Sequence, residues 1–233
     1  MKKVFVIGLL LLIAACSKEK EQGNMIVQGQ IKGLKKGTLY LQKMKDSLVT
    51  SVDSITLLGK STFILSDNIE SPEMYYLAFD DKTTVKRVRF FGEKGTITIN
   101  DNVNNFGVGT KIEGSKNQKV MEDYERMTKK FQNKQLDLIE ANFNAQLKNN
   151  IKESDSLRKI SDKLLRKRYL FSANFALTHP DAEASAFITI TDLVDANIKI
   201  LDTIQNTLSD NVKNSLYGKK LQKFIADIKK NEQ

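Results

Sequence analysis

Cys16 is the single thiol of the chain and His179 its single imidazole. One thiol cannot close an internal disulfide, a CxxC redox pair or a cysteine zinc site, and one imidazole excludes a two-histidine metal site. What Cys16 can do is act as a nucleophile toward an external electrophile. His179 could serve as a general base, but no Ser or Asp partner is placed near it by spacing, and a residue before Pro180 suits a helix boundary. Asp80-Asp81 could share acid–base work, although Asp is also a common turn residue. Asp101-Asn102-Val103-Asn104-Asn105 has the oxygen-rich texture of a calcium loop. It lacks an oxygen side chain at the third position and a trailing Glu, so a polar turn is the better expectation. Gly107-Val108-Gly109 has no third glycine and no surrounding βαβ unit, which excludes a nucleotide fingerprint. Tyr75-Tyr76, Phe79 and Phe90-Phe91 could form an aromatic platform for a ligand, or core at strand spacing. Arg166-Lys167-Arg168, beside Tyr169, could hold an anionic partner or face solvent. None of these sets amounts to a catalytic constellation. No cofactor, no metal and no catalysis of its own are expected.

The elements that would position these residues begin with an address. Met1-Lys2-Lys3 precedes an unbroken small and apolar run from Val4 to Ala15, and Cys16 follows. Two lysines and about a dozen apolar residues have the layout of a secretory signal peptide, too short for a bilayer span of about 20 residues. Leu12-Ile13-Ala14-Ala15-Cys16 resembles the lipobox of bacterial lipoproteins. The resemblance implies cleavage before Cys16, a diacylglycerol on its sulfur and an acylated new amino terminus. Several acyl chains anchor firmly, at roughly 0.8 kcal/mol per buried CH₂. Residues 1–15 are thus read as signal peptide and residues 16–24 as lipidated Cys and tether, because Ser17 to Asn24 is short, charged and without apolar content. Ser17 rather than Asp after the Cys implies, by the same resemblance, the outer membrane. The Lys18-Glu19-Lys20-Glu21 run also looks like a surface-export signal of some Gram-negative lineages, so either face of that membrane stays open.

The formal charge is +9 over 233 residues, and loss of Lys2 and Lys3 with the signal leaves +7. Most of the excess lies after Ser115, with acids interspersed, as on solvated helix faces. Apolar residues make up 40% of the chain. That share suffices for a core and excludes a wholly disordered chain. A secreted lipoprotein rarely meets nucleic acid, so none is expected as a partner.

From Met25 to Ser115 the texture is β. Strands are expected at Met25 to Lys32, Thr38 to Met44, Leu48 to Val52, Ser54 to Leu58 and Ser61 to Leu65. Others follow at Glu73 to Phe79, Thr84 to Phe91, Thr96 to Ile99 and Val108 to Ile112. Turn signals every 8–12 residues, such as Gly59-Lys60 and Gly92-Glu93-Lys94-Gly95, predict an antiparallel β-sandwich or barrel over 25–114. At Ser115 the period changes. Ser115 and Gln118 form a capping-box pattern. Val120, Tyr124, Met127 and Phe131, then Leu138, Ile139, Phe143 and Leu147, recur at helical spacing. Asn149-Asn150 and Lys152 to Asp155 read as a break, and Leu157, Ile160, Leu164 and Phe171 as a second helix. Pro180 is expected to open a third, and Ser209 to cap a last one running through Ile228. The region 115–233 is therefore three to five helices with one apolar stripe each, to be buried on each other, on the sandwich or on a partner. The fold class is α+β, an N-terminal antiparallel β-sandwich and a C-terminal α-helical region.

A further resemblance covers most of the chain after the tether. It rests on Val27-Gln28-Gly29-Gln30-Ile31-Lys32-Gly33-Leu34 with Gly37-Thr38-Leu39-Tyr40-Leu41, on Asp53-Ser54-Ile55, and on Gly59-Lys60-Ser61-Thr62-Phe63. Pro72-Glu73-Met74-Tyr75, Glu93-Lys94-Gly95 with Ile97-Thr98-Ile99, and Ile112-Glu113-Gly114-Ser115 extend it. His179-Pro180-Asp181-Ala182-Glu183-Ala184-Ser185 and Ser215-Leu216-Tyr217-Gly218-Lys219 look like the helical connector that follows. Together these resemble the uncharacterised N-terminal domain and connector of lipid-anchored, thioredoxin-like thiol–disulfide oxidoreductases of Gram-negative envelopes. With Cys16 as the only Cys, no redox function carries over. The expectation is a lipid-anchored accessory module with an envelope protein as partner. The alternative is a lipoprotein that captures a glycan, peptide or lipid.

Overall fold

The computed structural model describes residues 23–45, 47–80 and 85–231. Residues 1–15, expected as a signal peptide, and Cys16 lie outside them, as does all but the end of the expected tether. Eight strands form two four-stranded sheets. They are β1 (Met25–Lys32), β2 (Lys36–Lys45), β3 (Leu48–Leu58), β4 (Thr62–Asp67), β5 (Glu73–Asp80), β6 (Val85–Gly92), β7 (Gly95–Asn102) and β8 (Lys111–Glu113). The sheet orders are β4-β1-β7-β8 and β3-β2-β5-β6. All pairs are antiparallel except β1 with β7, which run parallel from Met25 opposite Gly95 to Lys32 opposite Asn102. The expected antiparallel sandwich is present, with this one parallel pair in it. The two stretches expected after Leu48 are one strand. The register slips where Leu41 faces Asp53 and Gln42 faces Ser51. Val52 is therefore a bulge.

Alternation puts Val27, Leu39, Leu41, Leu65, Leu77, Phe90, Ile97 and Ile99 between the sheets. All are almost fully buried. Asp53 is buried beside them. Its carboxylate accepts from Ser54 N–H at 2.6 Å and Ser66 N–H at 2.9 Å, which fastens β3 to β4. Met74 and Phe91 are opposite each other on β5 and β6 and face outward. They join the second core, which belongs to the helices.

Those helices are α1 (Lys116–Leu147), α2 (Ile151–Thr178), α3 (Glu183–Asp192), α4 (Ile198–Thr207), α5 (Asp210–Asn214) and α6 (Leu216–Asn231), one more than the upper expectation. Asn149, at φ 51°, is the left-handed residue after α1. Asn is one of the few side chains that tolerates this conformation at a helix end. The Asn150 side chain caps α2, accepting from Glu153 N–H at 3.2 Å. Asn is among the preferred residues for that position. The polar stretch 152–155 is thus the first turn of α2 rather than part of a break. Pro180 lies before α3, not in its first turn, since α3 is capped at Ala182. Ser209 stands at the start of only the five-residue α5, without a side-chain cap hydrogen bond. Ser215 opens α6, its Oγ accepting from Gly218 N–H at 3.2 Å.

Candidate functional site

The sandwich hands the chain to α1 through Gly114, at φ 96°, where a Cβ would stand 2.1 Å from Thr96 O. Only glycine fits both that angle and that approach. Ser115 Oγ then accepts from Gln118 N–H at 3.0 Å. This is the first half of the capping box. The second half is replaced. The Gln118 side chain accepts from Phe91 N–H at 2.9 Å and so binds α1 to the edge of β6. Glu93 supplies the missing cap, accepting from Lys116 N–H at 2.7 Å and Asn117 N–H at 3.2 Å. A carboxylate there also suits the positive end of the helix. Buried Asn117 donates to Glu93 and Glu183 and accepts from Ala184 N–H, so the starts of α1 and α3 share one polar knot. On the far side, Tyr217 of α6 accepts from Met74 N–H at 2.9 Å, and Ser71 Oγ accepts from Leu216 N–H at 3.0 Å. Burial pushes the Tyr217 hydroxyl up to about 12, against the Met74 hydrogen bond that favours the phenolate. These bonds tie the helical base to the sandwich.

A cleft of about 600 Å³ opens at this junction, between Glu70, Glu93, Lys94, Lys116, His179 and Glu183. His179 Nδ1 lies 2.8 Å from Phe175 O, and its ring stacks on Phe175 at 4.1 Å. A carbonyl only accepts, so Nδ1 is the donor in this contact. Two of the carboxylates, Glu93 and Glu183, are held by the polar knot. Among the described residues, no group of three or more His, Cys, Asp or Glu is arranged to hold a metal.

From this base α1, of 32 residues, and α2, of 28, run out together as a hairpin. At about 1.5 Å per residue they are about 48 Å and about 42 Å long. Their contact seam follows a heptad. On α1 it comprises Tyr124, Thr128, Phe131, Gln135, Leu138, Asn142 and Ala145. On α2 it comprises Ser154, Leu157, Ser161, Leu164, Arg168, Phe171 and Phe175. All are buried or half-buried. The base of the seam is aromatic. Tyr124 stacks on Phe171 and meets Phe175 at a tilt, and Phe131 lies against Phe171. The Tyr124 hydroxyl donates to Asp192 at 2.6 Å and is 2.7 Å from Ser172 Oγ. Burial and the Asp192 hydrogen bond hold its pKa well above the usual phenol range. Beyond Phe131 the seam is mixed: Leu138, Ala145, Leu157 and Leu164 alternate with polar residues, Gln135 donating to Ser161 at 2.8 Å and Ser154 donating to Asn142 at 2.7 Å. Gln135 Oε1 is buried without a hydrogen-bond partner. Such an orphaned acceptor costs about 1–3 kcal/mol.

Outside the seam lie further apolar residues. Leu136, Ile139 and Phe143 are 56–63% exposed, Ile151 is 75% exposed and Leu165 is 49% exposed. They occupy the same side of the hairpin, flanking the seam positions on α1 and on α2. Depressions of about 350, 90 and 270 Å³ follow that side towards the tip, the last two sharing Arg158. This open groove is the candidate site. The single apolar stripe expected on α1 is corrected. Tyr124, Phe131 and Leu138 face α2, while Met127, Ile139, Phe143 and Leu147 are exposed. Counting every apolar residue at helical spacing merges two faces.

The other sequence candidates do not converge. Cys16 and Asp81 lie outside the described residues, as does the side chain of Asp80. Asp101 spends its carboxylate on the Asn102 N–H, Gly107 N–H and Thr110 hydroxyl of its own loop. The aromatic platform is not formed. Tyr75, Phe79 and Phe90 are sandwich core and Phe91 is helical core, each at most 3% exposed. Arg166 and Lys167 are exposed on α2, and Arg168 reaches Asp192 at 3.4 Å. Sequence reasoning missed one cluster. Lys43 Nζ contacts Asp67 at 2.8 Å, Glu73 at 3.2 Å and the Tyr75 hydroxyl at 3.1 Å. Its members are far apart in sequence, so spacing carried no signal. They satisfy one another, which suits a structural fastening.

With this geometry in place, comparison with known proteins adds one match. Residues 25–121 match a family model described as Domain of unknown function (DUF4369). The match spans the whole sandwich and the first six residues of α1, including the Glu93 and Gln118 junction. Neither the curated proteins nor the solved structures contain a match.

Proposed function

We propose that this chain is a non-catalytic, lipid-anchored accessory module of a Gram-negative cell envelope, held at the outer membrane through acyl chains on Cys16. Its task is to dock another envelope protein with the α1–α2 hairpin. The observation that carries this reading is the row of exposed apolar side chains on one side of an arm that projects from a firmly tied base. Contiguous apolar surface of this kind marks interaction sites on soluble domains. Among the described residues no helix is long and apolar enough to cross a membrane, which fits anchoring by acyl chains. The test places a photo-crosslinking residue at Leu136 or Leu165 of the full chain in intact cells, with Thr62 on the sandwich as control. Both hairpin positions are expected to give the same discrete protein adduct, and Thr62 none. Absence of adducts from the hairpin contradicts the reading.

The junction cleft supports a second reading, capture of a small glycan, peptide or lipid. A thermal shift from such a ligand, abolished by Val120→Arg at the cleft wall, would favour it.

A further inference from the structure

We infer that the outer face of sheet β3-β2-β5-β6 binds a neutral glycan, stacked on Tyr40 and Tyr76. The inference goes beyond both readings above, since neither the hairpin groove nor the junction cleft includes this face. Of the aromatic residues that the sequence offers as a platform, Tyr76 alone stays outside both cores, half-buried. Tyr40, on the neighbouring strand, does the same. Tyr40 stands opposite Ala78, two residues along β5 from Tyr76, so the two rings are diagonal neighbours. Such positions lie about 7–8 Å apart.

Ala78 shows how the rings lie. It points outward, between Leu77 and Phe79 of the core, yet it is 0% exposed and belongs to neither core. The side chains around it are Tyr40 and Arg87 across the sheet and Tyr76 along the strand. They cover it by lying over the sheet rather than standing away from it. Rings in that posture offer a face to solvent, and the apolar face of a ring packs against the C–H face of a sugar. Tyrosine gives such contact area at little entropic cost.

Hydrogen-bonding groups frame the rings. Thr38 and Thr56 pair at 3.1 Å. Gln42 donates to Ser51 at 3.1 Å and accepts from Arg87 Nε at 3.3 Å, which fixes the guanidinium at the edge of the platform. Among the described residues, the hydroxyls of Tyr40 and Tyr76 and the terminal nitrogens of Arg87 have no hydrogen-bond partner. Glycan hydroxyls both donate and accept, so they match phenols and guanidinium N–H groups alike. Charge selects against other polymers. From Thr38 to Gln42, Ser51 to Thr56 and Tyr76 to Ala78 no outward side chain is charged, in a chain 28% charged. Arg89, next to Arg87 on this face of β6, is already paired with Glu125. Past Arg87 a depression of about 340 Å³ continues between β6 and α1, lined in part by Gly107, Gly109 and Thr110. It takes the next part of a chain that crosses the platform.

The test is isothermal titration of the full chain with soluble starch, hydroxyethyl cellulose, galactomannan and, as the acidic member, polygalacturonate. At least one of the three neutral polymers is expected to bind, equally at low and high salt, since no ion pair is involved. Tyr40→Ala and Tyr76→Ala should each weaken that binding about tenfold with an unchanged circular dichroism spectrum. Tyr40→Phe, which keeps the ring, should weaken it far less. Thr98→Ala, on the outer face of the other sheet, should leave it unchanged. Absence of binding by all three neutral polymers overturns the inference. So does binding of polygalacturonate alone, which would make Arg87 a charge contact. So does binding that Val120→Arg abolishes and Tyr40→Ala does not, which would return the glycan to the junction cleft. So does a discrete protein adduct from a photo-crosslinking residue at Tyr76 in intact cells, which would make the face a protein contact.

Discussion

In the sandwich, Tyr75, Phe90, Ile97 and Ile99 are at most 1% exposed, and Tyr75 stacks on Phe90 with ring centres 5.9 Å apart. On the hairpin, Leu136, Ile139 and Phe143 are more than half exposed, while Gln135, Asn142, Ser154 and Ser161 occupy the seam. The sandwich closes on itself because strand alternation sends one face of each sheet inward. The hairpin does so only in part over its distal half: Leu138, Leu157 and Leu164 share the seam with polar side chains, and further apolar ones stay outside. Its base is fastened more heavily, where aromatic rings and Tyr124, Asp192 and Ser172 lock the two helices to α3. The contrast teaches that the two regions serve different ends, one a finished core and the other an arm with surface to offer.

The comparison can be broken by substitutions on each side. Phe90→Ala should destabilise the chain most, by about 3–5 kcal/mol, since it empties a filled core. Denaturant melts should show it as a lower midpoint, and Phe143→Ala on the hairpin should change stability by less than about 0.5 kcal/mol. Next comes the tie between the regions. Tyr217→Phe strands the buried Met74 N–H and should cost about 1–3 kcal/mol, a fall in Tm of several degrees in calorimetry. The polar part of the seam predicts a change of opposite sign. Replacing Gln135 with Leu and Ser161 with Ala together should leave stability unchanged or raise it by about 1 kcal/mol, because an unpaired acceptor is removed. A fall of that size would show that the seam is optimised as it stands.

The smallest effect is electrostatic. Partial burial works to raise the Asp67 pKa, but hydrogen bonds from Lys43 and Tyr75 outweigh it and hold the carboxyl below the usual 3.8. A depressed carboxyl adds stability that is complete above 3.8 and lost as pH falls through the lower folded value. Asp67→Asn should therefore flatten the acid limb of a pH–stability profile below about pH 4, where the parent steepens. Burial also opposes the Lys43 ammonium, yet Asp67 and Glu73 hold its pKa above 10.5. Its contribution is full below 10.5 and lost only as pH rises through the raised value, so it leaves the acid limb untouched.

Strand and helix positions were legible wherever one short-range rule decided them. Turn signals such as Gly59-Lys60 and Gly92-Glu93-Lys94-Gly95 marked where strands begin and end. The change of period at Ser115 marked the boundary that Gly114 makes. Asn149-Asn150 marked the hairpin turn by residue type alone. What could not be read needed partners distant in sequence. The parallel pairing of β1 with β7 joins residues 70 apart, and the Lys43, Asp67, Glu73 and Tyr75 cluster draws on three strands. Glu93 could not be recognised as the cap of α1 because 23 residues and two strands separate it from Lys116. The groove was half legible. Its residues stood in the helical pattern, but which apolar residues face α2 depends on how the two helices pack.

The most direct test of the central claim is whether something covers the groove in the cell. Phe143→Cys and Leu165→Cys variants, with Thr62→Cys on the sandwich as reference, would be treated with a maleimide reagent in opened envelopes and again after purification. Protection of residues 143 and 165 in the envelope, lost on purification, while residue 62 reacts equally in both, is the predicted result. Equal labelling at all three positions in both preparations would contradict it and leave the hairpin an uncovered arm.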